Sequence, residues 1–128
     1  MQSVHSHGSH VFLDYVGYTP CDNDEGGWML SIMRNAVANT KAREVHSHVE
    51  RFDGRLSPPG FAAVVLIDES HVTAHCYSDR GWLAIDCFTC GQTNPEAVAD
   101  YIHSMLVSQN PNIQLMRRDV VARFLNLG

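Results

Sequence analysis

The chain is short of charge, and the charge it has leans to one sign. Charged residues make up 18% of its 128 positions against 45% hydrophobic, too few for a disordered or coiled-coil chain. Nine lysine and arginine residues lie scattered among fourteen acidic ones, for a formal net charge of -5. A nucleic-acid-binding face needs clustered cations, so nucleic acid is excluded as a partner, whereas a cationic small molecule would not be repelled. No apolar run approaches the roughly 20 residues of a membrane-spanning helix. Nor does Met1-Gln2-Ser3-Val4-His5 carry the basic and apolar blocks of a signal peptide. With no membrane partner implied, the chain is expected in the cytoplasm. Cys21, Cys76, Cys87 and Cys90 would there be reduced thiols rather than a disulfide framework. Internal repeats and low-complexity stretches are also missing, and the length is that of one domain.

What is present is a regular alternation of strand and helix patterns. His10 to Tyr18 is aromatic and β-branched enough for a strand, and Pro20 to Gly27 is a turn-rich, acidic break. Trp28 to Thr40 reads as a helix, because Met29, Ile32, Met33, Ala36 and Val37 recur at helical spacing. Ala42 to Phe52 alternates as a strand does, and Asp53 to Gly60 is a loop with two prolines. Three strands follow closely: Phe61 to Asp68, Ser70 to Tyr77 and Gly81 to Thr89, the last two joined by the tight turn Ser78-Asp79-Arg80-Gly81. A second helix opens either on Asn94, with Pro95 in its first turn, or on Thr93 with Glu96 as a capping box. It presents Val98, Ile102, Met105 and Leu106 on one face. Asn112 to Val120 is a last short strand, and Ala122 to Gly128 is expected as a tail.

The order β-α-β-β-β-β-α-β with hairpin-linked strands predicts an α+β fold. Its mostly antiparallel sheet would be covered on one face by two helices, as a two-layer sandwich. The near-continuous apolar runs imply that the other sheet face is also partly buried, most simply by a second subunit.

The stretch Asp68 to Gly91 is the most informative. It holds Glu69-Ser70-His71, then Thr73-Ala74-His75, then Phe88-Thr89-Cys90-Gly91, so that His75 stands five residues and Cys90 twenty residues after Ser70. Three pieces at mutually consistent spacing resemble the short bacterial and archaeal S-adenosylmethionine decarboxylase proenzymes. The likeness extends over most of the chain, and Gly8-x-His10 falls where the first strand of that family begins.

The resemblance implies a chain that cuts itself between Glu69 and Ser70, giving 1–69 and 70–128, and makes its own cofactor, a pyruvoyl group derived from Ser70. Decarboxylation of an amino acid needs an electron sink, and no natural side chain offers a ketone. By the same resemblance His75 assists the elimination that follows attack by Ser70, and Cys90 is the acid that protonates the decarboxylated substrate. Alternation puts Ser70, Val72, Ala74 and Cys76 on one face of their strand and His71, Thr73 and His75 on the other. A bend or the strand end is therefore expected to bring His75 to Ser70. Phe52, in an Arg-Phe pair, is implied to stack on the adenine. Tyr77-Ser78-Asp79 replaces the Trp-Pro-Glu usual in the family, and Asp79 would reach the ribose hydroxyls on a shorter arm. A serine that assists processing in the family is Ala62 here, with Ser57 in the preceding loop as a substitute hydroxyl. The implied product is decarboxylated S-adenosylmethionine, the aminopropyl donor for spermidine synthesis, and the implied assembly is a homodimer.

Other readings compete. The altered Tyr77-Ser78-Asp79 stretch allows a pyruvoyl decarboxylase of ornithine or arginine on the same scaffold. Ala62 allows a catalytically silent regulatory paralogue. His5-Ser6-His7, His46-Ser47-His48 and Cys87-x-x-Cys90 invite a metal, but no second Cys-x-x-Cys or His-x(3-5)-His follows, so no metal site is assigned.

Overall fold

A computed structural model describes residues 2–128. It contains, in chain order, β1 (His5–Val16), α1 (Glu25–Ala38), β2 (Glu44–Phe52), β3 (Gly60–Ile67), β4 (Ser70–Tyr77), β5 (Trp82–Cys90), α2 (Pro95–Gln109) and β6 (Gln114–Asn126). The strands form one sheet in the order β2-β3-β4-β5-β1-β6, and every neighbouring pair is antiparallel. The expected order and the two-layer α+β architecture are both present.

Both helices pack on the same sheet face. From β1 they bury Val11, Leu13 and Tyr15, from β3 Phe61, Ala63, Val65 and Ile67, from β4 Val72, Ala74 and Cys76, and from β5 Leu83, Ile85 and Cys87. Opposite them stand Met29, Ile32, Met33, Ala36 and Val37 of α1 and Val98, Ala99, Ile102 and Leu106 of α2. Each large side chain removed from water here is worth about 1.5–3 kcal/mol before the entropy of ordering is set against it. The face away from the helices is uncovered in the single chain.

The ends of the elements show what local pattern misses. Helix α1 begins at Glu25, three residues before Trp28, because Asp24 caps it: Asp24 Oδ1 accepts from the Gly27 amide at 3.1 Å. Gly26 and Gly27 in the first turn are poor helix formers and hide that start. The Arg51 guanidinium grips Asp24 at 2.8 and 2.7 Å and holds its carboxyl down to about 2. At α2 the Asn94 cap is the one adopted, its Oδ1 accepting from the Glu96 amide at 2.9 Å.

The largest correction is at the C-terminal end, where the expected tail from Ala122 is strand as far as Asn126. It pairs with the start of β1, Gly8 with Arg123 and Ser6 with Leu125. Those partners lie more than a hundred residues away, and both segments are mostly exposed, so no buried alternation announces either.

Candidate active site

Strand β4 presents its side chains as the alternation predicts. Ser70, Val72, Ala74 and Cys76 are buried on the helix side, and His71, Thr73 and His75 face the other way. The β4–β5 ladder ends at the pair His71–Phe88. One step further the Cys90 N–H donates to Ser70 Oγ at 3.0 Å. The Cys90 thiol donates to the Glu69 main-chain carbonyl at 3.4 Å. Ser70 and Cys90 are 7% and 8% exposed. The peptide unit between Glu69 and Ser70 is thus held by one residue from two sides: a donor on the hydroxyl and a donor on the carbonyl oxygen.

Two glycines make this closeness geometrically available. A Cβ on Gly8 would lie 3.1 Å from Cys90 Sγ, from Phe88 Cε1 and from the Thr89 carbonyl oxygen, so a side chain there would push these neighbours away by a few tenths of an ångström. Gly91 takes a positive φ of 65° and turns the chain directly after Cys90, and its amide donates to the His7 carbonyl at 3.0 Å. His7 Nε2 also lies 3.7 Å from the Glu69 carboxylate. In the sequence His7 stands out only as half of a His-x-His pair; in the fold it lies beside Glu69, which follows from the pairing of Gly8 with Cys90.

His75 is not part of this cluster. It is exposed, on the helix-free face, and paired with Ala62 on β3 and Ala84 on β5. Five residues of extended strand separate it from Ser70, roughly 17 Å at 3.4 Å per residue. The bend expected to bring the two together does not exist, because β4 keeps unbroken register with both neighbours along its length.

The remaining candidates gather at the His75 end. Phe52 closes β2 opposite Gly60, which in turn pairs with Tyr77. Tyr77 is exposed and meets Trp82 edge to face, centroids 5.8 Å apart. Asp79 is exposed in the turn that follows. A cleft of about 630 Å³ surrounds Phe52, with Arg51, Arg55 and Ser57 among its walls. A second of about 390 Å³ is lined by His75, Tyr77, Trp82 and Met116. Ala62 and Ser57 also lie at this end, so neither the missing serine nor its proposed substitute is near Ser70 within one chain.

Between the two ends the helix-free face carries a polar group. His10, 8% exposed, stacks on Phe12 at 4.1 Å and meets His71 at 6.0 Å. Its Nε2 lies 3.4 Å from Asp86 Oδ1 without an aligned hydrogen bond, while Arg123 donates to Nδ1 at 3.4 Å. The Thr73 hydroxyl donates to the other Asp86 oxygen at 3.1 Å. Burial lowers the pKa of both His10 and His71 from the ordinary imidazole value, and Asp86 opposes the shift in each.

Among the described residues no three of His, Cys, Asp and Glu converge as metal ligands. Cys87 and Cys90, three apart on a strand, point to opposite faces, and Cys87 is sealed in the core with its thiol pushed up to about 12 by burial. No helix among the described residues is long and apolar enough to cross a membrane.

The comparisons with known proteins bear on this geometry. The profile of the S-adenosylmethionine decarboxylase family matches residues 9–119. The S-adenosylmethionine decarboxylase proenzyme of Bacillus velezensis is 34% identical over 116 residues, covering 86% of this chain and 85% of that protein. The proenzyme of a Thermoanaerobacter species is 33% identical over 116 residues, covering 88% and 89%. The crystal structure of the adenosylmethionine decarboxylase from Aquifex aeolicus shares the fold, with a TM-score of 0.69 at 23% identity over 92% of this chain and 91% of that one. With its Glu69–Ser70 peptide held by Cys90 in that fold, the chain belongs to the S-adenosylmethionine decarboxylase family.

Proposed function

We propose that the chain cleaves itself between Glu69 and Ser70, that Ser70 becomes a pyruvoyl group, and that the processed protein decarboxylates S-adenosylmethionine. The observation that carries the reading is the double hold of Cys90 on that peptide, amide to Ser70 Oγ and thiol to the Glu69 carbonyl oxygen. Attack of Ser70 Oγ on the Glu69 carbonyl carbon forms a C–O bond and places negative charge on that oxygen, where a donor is worth most. Collapse breaks the C–N bond, the nitrogen takes a proton, and an ester links Glu69 to the Ser70 side chain. Removal of the Ser70 α-proton then breaks the Cβ–Oγ bond and releases Glu69 as a carboxylate. Water replaces the nitrogen of the resulting enamine as ammonia, leaving the ketone at the start of 70–128.

The residues present fit such a group: its precursor hydroxyl is buried, held by an N–H, and beside a thiol. When formed, the pyruvoyl carbonyl supplies the electron sink for loss of carbon dioxide. Cys90 Sγ stands against the same point of the chain and is placed to deliver a proton to the product carbon. Phe52 offers a ring face, and Asp79 two acceptor oxygens, for a nucleoside.

A second copy of the chain completes the site. In one protomer the cleavage peptide and the His75–Phe52–Asp79 group lie at opposite ends of the sheet. The uncovered face between them exposes Leu66, Tyr77, Trp82 and Val121. Two such faces stacked about a two-fold axis running across the strands set the Ser70 end of each copy against the His75 end of the other. This reading supports a homodimer with two composite sites.

The test is a denaturing gel with mass analysis, together with carbon dioxide release from carboxyl-labelled S-adenosylmethionine, ornithine and arginine. Two fragments, 1–69 and 70–128, and release from S-adenosylmethionine are expected, while Ser70→Ala remains one chain and is inactive. Activity surviving in Ser70→Ala would overturn the pyruvoyl reading. Release only from a basic amino acid would overturn the substrate.

A further inference from the structure

A cavity of about 220 Å³ opens directly beside the cleavage peptide, and the self-cleavage steps described above give it no occupant. Its lining includes Glu69, Ser70, Cys90 and Thr93 together with Lys41 and Arg43. Lys41 is the only lysine of the chain. Among the described residues it forms no ion pair.

Its position is built. The α1–β2 connection that carries Lys41 is pinned on its N-terminal side by Thr40. The Thr40 hydroxyl donates to the Val37 carbonyl at 2.7 Å and accepts from the Ala42 amide at 3.1 Å. On the other side Arg43 Nε meets both Asp68 carboxylate oxygens, at 3.1 and 3.2 Å. Asp68 immediately precedes Glu69. A clamp therefore joins the loop carrying Lys41 to the turn carrying the cleavage peptide. The clamp also uses up Arg43, whose charge is matched by Asp68, and leaves Lys41 as the unmatched cation lining the cavity that Glu69 also lines. The other groups around Glu69 are already assigned: Cys90 takes its main-chain carbonyl and His7 lies by its side-chain carboxylate.

We infer that this cavity is an anion subsite for the carboxylate that Glu69 becomes on cleavage, with Lys41 as the cation that receives it. The inference rests on the self-cleavage reading above. In the elimination step the Ser70 Cα–H proton goes to the base, the Cβ–Oγ electron pair goes to oxygen, and a neutral ester becomes a full negative charge on the new end of 1–69. A fixed cation beside that oxygen stabilises the leaving group as charge develops. Once the bond is broken, it also holds the new terminus away from the ketone. Attack by Ser70 on the Glu69 carbonyl does not place charge on that leaving oxygen, so Lys41 acts on elimination rather than on attack.

The two steps are separable in experiment, because neutral hydroxylamine cleaves an ester and leaves an amide intact. The parent, Lys41→Met and Lys41→Arg are made by cell-free translation of the full chain. Intact chain is followed with time, with and without hydroxylamine, and thermal melting checks folding. Lys41→Met is expected to lose intact chain about tenfold more slowly than the parent, the scale of one modest electrostatic contact to a transition state. Its residue should be ester, so that hydroxylamine splits it to a 1–69 fragment ending in a hydroxamate. Lys41→Arg should process within a few-fold of the parent, and melting should be unchanged in both. Parental processing in Lys41→Met would overturn the inference and leave self-cleavage standing. So would slow processing with no hydroxylamine-sensitive chain, since the block would then lie at attack. A parent that is never cut under any condition would overturn the self-cleavage reading and this inference with it.

Discussion

At its Ser70 end β4 is enclosed by β1, by the last residues of β5 and by the α1–β2 connection, whereas at its Tyr77 end it opens into clefts with exposed aromatic walls. The first end is chemically complete for attack: nucleophile, carbonyl and two donors are in contact within one chain. The second holds a histidine, three aromatic rings and a carboxylate that touch nothing at the first. Donors that must meet a developing charge have to be prepositioned to within tenths of an ångström, and packing in a single chain achieves that. Groups that grip a soluble substrate can come from a separate body, provided the two bodies dock reproducibly.

The largest effect that breaks or sharpens this contrast comes from separating the ends genetically. His75→Ala is expected to stop processing nearly completely, since a positioned acid or base is commonly worth 10²–10⁴ in rate. Co-expression with Ser70→Ala should restore it. In the mixed dimer the His75→Ala chain keeps its own Ser70 and faces an intact His75 from the other copy. Differently tagged chains show which one is cut, and the His75→Ala chain should yield both fragments while the Ser70→Ala chain yields none. A His75→Ala chain that stays intact in the mixture, although the two tags co-purify, removes the composite site.

Cys90 belongs to the enclosed end, and its side chain and its amide have separable roles. Cys90→Ala keeps the N–H on Ser70 Oγ and loses the thiol on the Glu69 carbonyl. Processing is therefore expected to continue at a reduced rate. Turnover of the processed enzyme should fall by about a hundredfold, the low end for loss of a general acid. Protonation at the wrong carbon would leave alanine at the start of 70–128, which mass analysis of that fragment detects after turnover. Unchanged turnover with no terminal alanine would take the thiol out of the reaction.

What was legible in the sequence divides along the same line. The Glu69-Ser70-His71, Thr73-Ala74-His75 and Phe88-Thr89-Cys90-Gly91 pieces were legible as a family resemblance, because all three belong to the one hairpin of β4 and β5. The helix faces were legible from Met29–Val37 and Val98–Leu106, since burial imposes a period on them. The separation of His75 from Ser70 was legible only as a conflict. Alternation put them on opposite faces, and the bend expected to reconcile them is absent because continuous pairing on both sides leaves β4 no room to bend. Lys41 and His7 were not legible as site residues. Neither lies in the motif, and their places come from Arg43 holding Asp68 and from Gly8 pairing with Cys90. Those are long-range contacts with no local periodicity.

The smallest expected effect concerns the face that joins the two ends. His10 is buried in the single chain among Asp86 of β5, Arg123 of β6 and His71 of β4. Burial lowers its pKa from 6.5, Asp86 works against that shift, and Arg123 works with it. The His71 pKa is also lowered, by burial first and then by His10. A base whose pKa is lower in the folded state binds its proton more weakly there than in the unfolded chain. Stability is therefore fully present above pH 6.5 and declines as pH falls from 6.5 through the folded-state value, because the unfolded chain takes up the proton first. Urea unfolding of Ser70→Ala, which avoids a mixture of cut and uncut chains, should show a lower midpoint at pH 5.5 than at pH 7.5. Adding His10→Asn removes one of the two titrating groups and keeps an acceptor near Arg123. The midpoint should then change less between the two pH values, whatever the substitution costs at pH 7.5. A double variant with the same pH response as Ser70→Ala would mean that His10 is protonated as easily in the folded protein as in the unfolded chain. The attraction of Asp86 would then balance burial and the repulsion of Arg123 at the centre of this face.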